Sequence, residues 1–404
     1  MTHAHGSTGS SHAKAPAGAK GSPIAIGTKV VMDEAGLASL ITLLTKVGYQ
    51  PIGPKARDGA IVYEEIESLS DLPVGFADEQ EGGKYRLVAG TKGSFFEYLV
   101  GPTSWKRYLF PPTHKLWGAE QKGNGFEIDK AKADVPAYAF IGVRSCELNA
   151  MKIQDKVFGF GREDNNGAGI FSDPNYVARR SKALIIAVNC SRAGKTCFCT
   201  SMGGDPHVKE DQGFDLALTE FAPQQTHEFM VEVGSERGRL ILELLPYRAV
   251  TSHDTDRAAS QARKARSEMG RKMPPDIKDV LKRNLDHKRW DDVASRCLSC
   301  ANCTMVCPTC FCSTVQDSTN LTGEKTERTR SWDSCFSVDF SYIHGGAIRP
   351  ETKSRYRQWM THKLSNWHEQ YGSSGCVGCG RCITWCPVGI DITEEARVIK
   401  TTGK

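Results

Sequence analysis

The sequence predicts an α/β domain in the N-terminal part of the chain and an α-helical domain in the C-terminal part. Two continuous apolar runs, residues 137–148 and 183–190, are typical of strands buried on both faces of a sheet. Near the C-terminus, two runs of cysteines lie in a region whose apolar residues follow helical spacing. The predicted divisions are a disordered tail (1–23), the α/β domain (24–250), a helical linker (251–296) and the cysteine-rich helical domain (297–404).

The first elements of the α/β domain follow from local patterns. Apolar residues at helical spacing predict a helix over 37–49 that stops at Gly48. Residues 60–66 read as a strand that follows a turn at Asp58 and Gly59. Glycine, proline and aromatic residues are frequent over 72–116. We expect irregular structure there, packed on the sheet.

The two buried strands each end near a cysteine. The first run ends near Arg144 and Cys146, and a helix over 147–158 follows it. The second run ends at Cys190, and the segments 214–221 and 227–233 continue the domain. Because open α/β sheets place their binding sites at the carboxyl ends of the strands, both cysteines are candidates for a site.

The linker and the insertion between the two cysteine runs are predicted to be helical. Residues 251–269 are polar, charged and rich in alanine, which predicts an exposed helix, and 276–296 form a second helix that leads into the first cysteine run. The long insertion over 308–375 includes a helical stretch at 354–371. This insertion favours a helical domain over a compact βαβ unit.

The two cysteine runs share one spacing. Each reads C-x2-C-x2-C-x3-C-P, which is the bacterial ferredoxin spacing for [4Fe-4S] clusters, and two copies predict two clusters. Three thiolates in a short loop can hold three corners of a cubane, and the fourth cysteine ligates the other cluster in two-cluster ferredoxins. The predicted ligand sets are therefore Cys297, Cys300, Cys303 and Cys386 for one cluster, and Cys376, Cys379, Cys382 and Cys307 for the other. Zinc is the alternative, but it is usually held by two separated cysteine pairs.

Four more cysteines predict a third iron–sulfur site in the α/β domain. They lie at the predicted strand ends and in a polar, glycine-rich loop. The alternatives are buried or redox-regulatory thiols, or a zinc site. The four residues are Cys146, Cys190, Cys197 and Cys199.

Three cysteines, Cys310, Cys312 and Cys335, remain outside these ligand sets. They either ligate a further metal or lie beside the clusters and tune them, and the sequence does not decide between these alternatives. A basic run that includes Arg355 and Lys363 precedes the second motif. It is either a solvated face or an offset for cluster charge.

Charge and motif content exclude several function classes. The formal net charge is +5, but each [4Fe-4S] cluster with four thiolates carries about −2, so two clusters bring the total to about +1. No basic stripe interleaved with aromatic residues suggests nucleic-acid binding. The G-F-G string at 159–161 is not a full dinucleotide fingerprint, and there is no Walker A motif. These absences argue against a self-contained flavoenzyme.

The compartment is predicted from the N-terminus and the cysteines. The first residues lack an apolar stretch and a twin arginine, so we do not expect a secretory signal. No apolar run approaches the roughly 20 residues of a membrane helix. In a reducing cytoplasm the chain's 15 cysteines read as metal ligands rather than as disulfides. His3, His5 and His12 are interpreted as tail residues.

Five strings give the chain a family resemblance, namely G-V-R-S-C-E-L-N-A (142–150), T-C-F-C-T-S-M-G (196–203), the first motif extended to C-P-T-C-F-C (296–312), R-T-R-S-W-D-S-C (328–335) and the second motif extended to V-G-I-D (376–391). The chain resembles the iron–sulfur β subunits of soluble multi-subunit [NiFe] hydrogenases of the sulfhydrogenase type. These are related to the electron-transfer subunit of anaerobic sulfite reductase.

The resemblance implies a non-catalytic electron-transfer subunit of an oxidoreductase complex. Its partners would be the large and small [NiFe] hydrogenase subunits and a flavin subunit that binds NAD(P). It also implies that the T-C-F-C cysteines, with Cys146 and Cys190, serve a cluster. The alternative function is the electron-transfer subunit of an anaerobic sulfite reductase.

Overall fold

The structure is a computed structural model that describes residues 24–130, 135–161, 171–221 and 226–403. The predicted tail, 1–23, lies outside the described residues. The strands are β1 Lys29–Asp33, β2 Gln50–Arg57, β3 Ala60–Glu65, β4 Phe76–Glu81, β5 Lys84–Ala89, β6 Thr113–Lys122, β7 Gly125–Lys130, β8 Tyr138–Val143, β9 Leu184–Val188, β10 Leu216–Glu220, β11 Glu228–Val233, β12 Arg248–Ala249, β13 Ser313–Thr319, β14 Lys325–Trp332, β15 Tyr342–Ile343 and β16 Gly346–Ala347. The helices are α1 Glu34–Lys46, α2 Lys106–Leu109, α3 Ser145–Phe158, α4 Pro174–Lys182, α5 Glu236–Leu242, α6 Ser252–Ser267, α7 Ile277–Arg283, α8 Arg289–Arg296, α9 Asn302–Met305, α10 Thr352–Thr361, α11 Trp367–Tyr371, α12 Arg381–Thr384 and α13 Ile392–Thr402.

The N-terminal part is built on a mixed eight-stranded sheet with the order β12-β1-β11-β10-β9-β8-β2-β3. Its centre is parallel, because β10 pairs with β9, β9 with β8, and β8 with β2 in parallel register. The flanking pairs are antiparallel. The region is thus sheet-rich and mixed, with the predicted buried strands at its centre.

Strand β9 is buried along its whole length because both faces of the sheet are covered. Ile186 belongs to the apolar cluster that contains Leu40 and Leu44 of α1. Its neighbour Ile185 belongs to a second cluster, with Met151 of α3 and Tyr176 of α4. Because alternate residues of a strand face opposite sides, this strand needs the continuous apolar run seen in the sequence.

Helix α1 and the first hairpin agree with the sequence prediction. The Asp33 side chain caps α1 by accepting a hydrogen bond from the Gly36 backbone N–H at 2.8 Å. The helix ends shortly before Gly48, whose φ of +90° lies in the left-handed region. Strands β2 and β3 pair around a turn at Asp58 and Gly59, both of which have positive φ.

The prediction of irregular structure over 72–116 was wrong in part, because β4 and β5 form a hairpin there and β6 begins at Thr113. The pattern was hidden because two of the three residues that β4 buries are polar, Asp78 and Gln80. Asp78 accepts a hydrogen bond from the Leu99 backbone N–H at 2.6 Å and pairs with Arg192 at 2.9 Å. Internal hydrogen bonds therefore replace the apolar alternation on which strand prediction relies.

The linker contains three helices rather than two. Helix α6 exposes most of its charged residues and buries a stripe of alanines that includes Ala258 and Ala262. The predicted helix over 276–296 is divided into α7 and α8. The chain turns after Asn284, whose backbone carbonyl accepts a hydrogen bond from the Trp290 indole N–H at 2.9 Å.

The C-terminal part is helical, but the insertion between the cysteine runs also contains a β-hairpin that the sequence did not predict. Strands β13 and β14 pair with each other, and β14 pairs with β6 to complete a four-stranded sheet in the order β13-β14-β6-β7. The predicted helical stretch over 354–371 is confirmed as α10, a π-helical turn His362–Asn366, and α11. None of the described helices combines the length and apolar character that a membrane-spanning segment requires.

Candidate functional site

The two cysteine motifs fold into loops with the same backbone conformation. In the first loop Ser299 and Ala301 have φ values of +49° and +65°, and in the second loop Gly378 and Gly380 have values of +69° and +78°. The backbone N–H of Ser299 donates to the Cys297 sulfur at 3.4 Å. In the second loop the N–H of Gly378 donates to the sulfur of Cys376, also at 3.4 Å. Each loop thus turns backbone donors toward sulfur, which stabilises negative charge on a thiolate.

The second loop needs glycine at its two left-handed positions because another backbone segment lies against it. A Cβ atom on Gly378 would lie 2.6 Å from the Phe198 carbonyl, and one on Gly380 would lie 2.5 Å from the Thr196 carbonyl oxygen. The Phe198 N–H also donates to the Gly378 carbonyl at 2.9 Å. The second loop therefore packs directly against the 196–199 segment of the N-terminal part and requires glycine.

The first cysteine group surrounds a small, largely apolar cavity. Cys297, Cys300 and Cys303 of the first motif line this cavity, together with Cys386 of the second motif. Phe336 and other apolar side chains form most of the remaining wall. The structure thus brings together the four residues that the crossed assignment predicts for one cluster, and their role as ligands stays a prediction.

The second cysteine group lies beside a buried lysine. Cys307 of the first motif interacts electrostatically with Cys376 and Cys382 of the second. The Lys363 ammonium donates to the Cys307 sulfur at 3.4 Å. Burial raises the pKa of the Cys376 thiol to about 12, and the charge of Lys363 opposes this shift. The basic run before the second motif therefore includes a residue in contact with a predicted ligand.

The third cysteine group lines a small, largely apolar cavity in the N-terminal part. Its members are Cys146, Cys190, Cys197 and Cys199.

The sheet positions two members of this third group. Cys146 lies in the first turn of α3 just after β8, and Cys190 follows β9 by two residues. These strands are parallel neighbours, so both thiols lie at their carboxyl ends, as predicted.

A buried arginine lies beside the third group. Arg144 is 1% exposed, and its guanidinium donates to the Phe96 carbonyl at 2.6 Å and to the Tyr98 carbonyl at 2.7 Å. Burial raises the pKa of the Cys190 thiol, and the Arg144 charge lowers it. No role was predicted for Arg144 from the sequence, although it precedes Cys146 in the G-V-R-S-C string.

The second group borders both of the other groups. Cys382 also lines the first cavity, and Cys379 also lines the third. Between them Arg381 is fully buried and pairs with Glu147 at 2.6 Å. The order of the groups is therefore first, second, third, from the helical part into the sheet-rich part. The Arg381–Glu147 pair was not predicted, because neither residue stands out in the sequence.

The three remaining cysteines lie outside the first and third cavities. The thiol of Cys310 lowers the pKa of the neighbouring Cys307 thiol, and the thiol of Cys335 lowers the pKa of the Cys312 thiol. Among the described residues, no group of three or more His, Cys, Asp or Glu side chains converges tightly enough to hold a single metal ion.

Comparisons with known proteins agree with these observations. Residues 296–390 match a family described as a 4Fe-4S dicluster domain. Over 358 residues the chain is 31% identical to sulfhydrogenase 2 subunit beta of Pyrococcus furiosus, an alignment that covers 85% of this chain and 91% of that protein.

The cysteine loops and the matched domain define an iron–sulfur protein of electron transport. More particularly, the chain belongs to the family of sulfhydrogenase β subunits, and it is an iron–sulfur subunit of a hydrogenase.

Proposed function

We propose that this chain relays electrons between a [NiFe] hydrogenase core and a flavin subunit that binds NAD(P), in a cytoplasmic complex. The observation that carries the proposal is that cysteines of the second group border both other cavities. A row of adjacent sites is the arrangement that a relay requires. When bound, an iron–sulfur cluster accepts and donates single electrons at a potential set by its surroundings.

The proposed ligands form three sets of four thiolates, which is the donor set that a [4Fe-4S] cluster takes. The C-x2-C-x2-C-x3-C-P spacing of the two motifs favours clusters over zinc ions, which are usually held by two separated cysteine pairs. The sets are Cys297, Cys300, Cys303 and Cys386; Cys376, Cys379, Cys382 and Cys307; and Cys146, Cys190, Cys197 and Cys199.

Other residues of the chain would exclude water and offset charge. Phe336 and Trp359 line the first cavity with apolar surface. Lys363 and Arg144 bring buried positive charge to the second and third groups. A cluster with four thiolates carries about −2, so these cations favour its binding and its reduction. Cys300 is exposed, so we propose that a redox partner docks beside the first group.

The proposed partners are the large and small hydrogenase subunits and the flavin subunit. Support comes from the relative in Pyrococcus furiosus, whose name describes a subunit of a sulfhydrogenase. Native purification under anaerobic conditions tests the proposal. We expect about twelve irons per chain, from three clusters, and co-purified subunits with the masses of a hydrogenase. A co-purified siroheme subunit would instead support a sulfite reductase, and an iron-free chain would contradict both functions.

The crossed ligand sets predict which variants lose the same cluster. Cys386→Ser should remove the same paramagnetic signal as Cys297→Ser, because both thiols line the first cavity. Cys307→Ser should match Cys376→Ser instead. Low-temperature electron paramagnetic resonance of the reduced proteins measures this, with iron content as a second readout. If Cys386→Ser matched Cys376→Ser, the crossed assignment would be wrong.

A further inference from the structure

We propose that Cys312 and Cys335 are a redox-active thiol pair, which forms a reversible disulfide by exchange with low-molecular-weight disulfides. This site lies beyond the electron relay and does not depend on it. The observation that carries the inference is the base of the β13–β14 hairpin, which brings the side chains of Cys312 and Cys335 close enough to influence each other.

The hairpin holds the two cysteines in place. Cys312 immediately precedes β13, and Cys335 follows the end of β14 by three residues. The two strands pair from Ser313 and Trp332 outward, and the Asp333 backbone N–H donates to the Cys312 carbonyl at 2.9 Å. A disulfide requires its two cysteines to be neighbours in space, and the base of this hairpin keeps them so.

The surroundings of the pair favour a reactive thiolate on Cys312. The hydrogen bond from the Cys335 thiol lowers the pKa of Cys312, and the buried ammonium of Lys363 lowers it further. Burial and the carboxylate of Asp333 oppose these effects. Both thiols are half-buried, so neither is fully shielded from a small reagent. Reactive cysteines typically occupy such electropositive and partly exposed positions.

The pair is not needed for the proposed clusters. Twelve other cysteines complete three sets of four, and neither Cys312 nor Cys335 lines the first or the third cavity. Cys310 is different, because the thiol of the predicted ligand Cys307 raises its pKa. We therefore confine the inference to Cys312 and Cys335.

The chemistry is thiol–disulfide exchange in two steps. The Cys312 thiolate attacks one sulfur of the small disulfide, which forms a mixed disulfide and releases one small thiolate. The Cys335 sulfur then attacks the Cys312 sulfur, so that the Cys312–Cys335 bond forms and a second small thiolate leaves. The two protons lost by the cysteines go to the two small thiols. The protein loses two electrons, and the small disulfide gains them.

The test treats the anaerobically purified, metal-loaded protein with glutathione disulfide. Free thiols are then alkylated, and the peptides are analysed by mass spectrometry. We expect most chains to contain a Cys312–Cys335 crosslink that is two hydrogen atoms lighter than the dithiol, and dithiothreitol should reverse it. Unchanged iron content would show that the clusters remained intact. Full alkylation of both cysteines after the treatment would overturn the proposal.

Two matched variants separate the two steps. Cys335→Ser should stop the reaction at a glutathione adduct on Cys312, because the resolving sulfur is absent and serine can still donate a hydrogen bond. Cys312→Ser should give no crosslink and at least a tenfold slower adduct formation. If either variant lost the iron of a whole cluster, the two thiols would be metal ligands, and the proposal would be wrong. The crosslinking experiment on the wild-type protein still tests the proposal even if a variant does not fold.

Discussion

Lys363 and Arg144 are buried cations for which no carboxylate partner is found within the part of the chain that the structure describes. A buried charge is costly unless an opposite charge or several hydrogen bonds compensate it. Arg144 is compensated by backbone carbonyl groups, and Lys363 by Thr309, Gly375 and the sulfur of Cys307. The positive charges of both side chains therefore stabilise negative charge at the cysteine groups.

Replacing Lys363 should lower the reduction potential of the second group. In Lys363→Met a positive charge next to Cys307 is lost, which disfavours the added electron. At an effective dielectric constant of about 20, a unit charge about 4 Å away contributes about 4 kcal/mol, which corresponds to about 170 mV for a one-electron couple. Potentiometric titration followed by electron paramagnetic resonance measures it. Lys353→Met, which alters a lysine that pairs with Asp291 at the surface, is the control and should shift little.

At the scale of single elements, the two cysteine loops have similar backbone conformations but different surroundings. The first loop carries side chains at both left-handed positions, Ser299 and Ala301, whereas the second loop has Gly378 and Gly380. The second loop lies against the backbone of the 196–199 segment. The glycines are therefore required by close packing as well as by backbone conformation.

This difference predicts unequal effects of two glycine substitutions. Gly203 and Gly378 both have positive φ, but a Cβ atom would meet nothing within 4 Å at Gly203 and a backbone carbonyl at 2.6 Å at Gly378. Gly203→Ala should cost about 1–2 kcal/mol from backbone strain alone. Gly378→Ala should cost clearly more and should lower the iron content. Thermal unfolding and iron analysis of the two variants measure this, and equal destabilisation would show that the close packing is unimportant.

The elements also show which parts of the fold could be predicted from the sequence. Strand β9 was predictable because every residue is apolar, and both cysteine loops were predictable from spacing. The hairpin β13–β14 was not, because its strands are mostly polar, have no fully buried residue and therefore lack apolar alternation. Its stability depends on pairing with β6, which lies in a distant part of the sequence.

The basic run before the second motif had two possible roles, and only the contact of Lys363 with Cys307 decides between them for that residue.

On the scale of the whole molecule, the Arg381–Glu147 pair joins the second cysteine loop to the sheet-rich part. Glu147 also accepts hydrogen bonds from the Tyr63 hydroxyl and the Trp105 indole, both at 3.0 Å. Arg381 donates to the Gly101 carbonyl at 2.8 Å. This buried network holds the second and third cysteine groups side by side, which is the arrangement that the proposed relay depends on.

Breaking this pair should destabilise the molecule strongly. Glu147→Ala leaves the buried Arg381 charge without its partner, which typically costs about 3–5 kcal/mol. Asp317→Ala removes an exposed partner of Arg328 and should cost about 0–1 kcal/mol. Melting temperatures under anaerobic conditions compare the two variants. A similar small shift in both would mean that the buried pair contributes little to the joint between the two parts.

The shared sheet has a consequence for biosynthesis. Glu120 of β6 pairs with Lys325 of β14, and the two strands are therefore about 200 residues apart in the sequence. Because the ribosome adds roughly 5–20 residues per second, β14 is synthesised on the order of ten seconds or more after β6. Until then β6 presents an unpaired edge, the kind of surface on which nascent chains aggregate. The charges of Lys115, Glu120 and Lys122 on β6, and of Glu127 on its hairpin partner β7, act as gatekeepers during that interval.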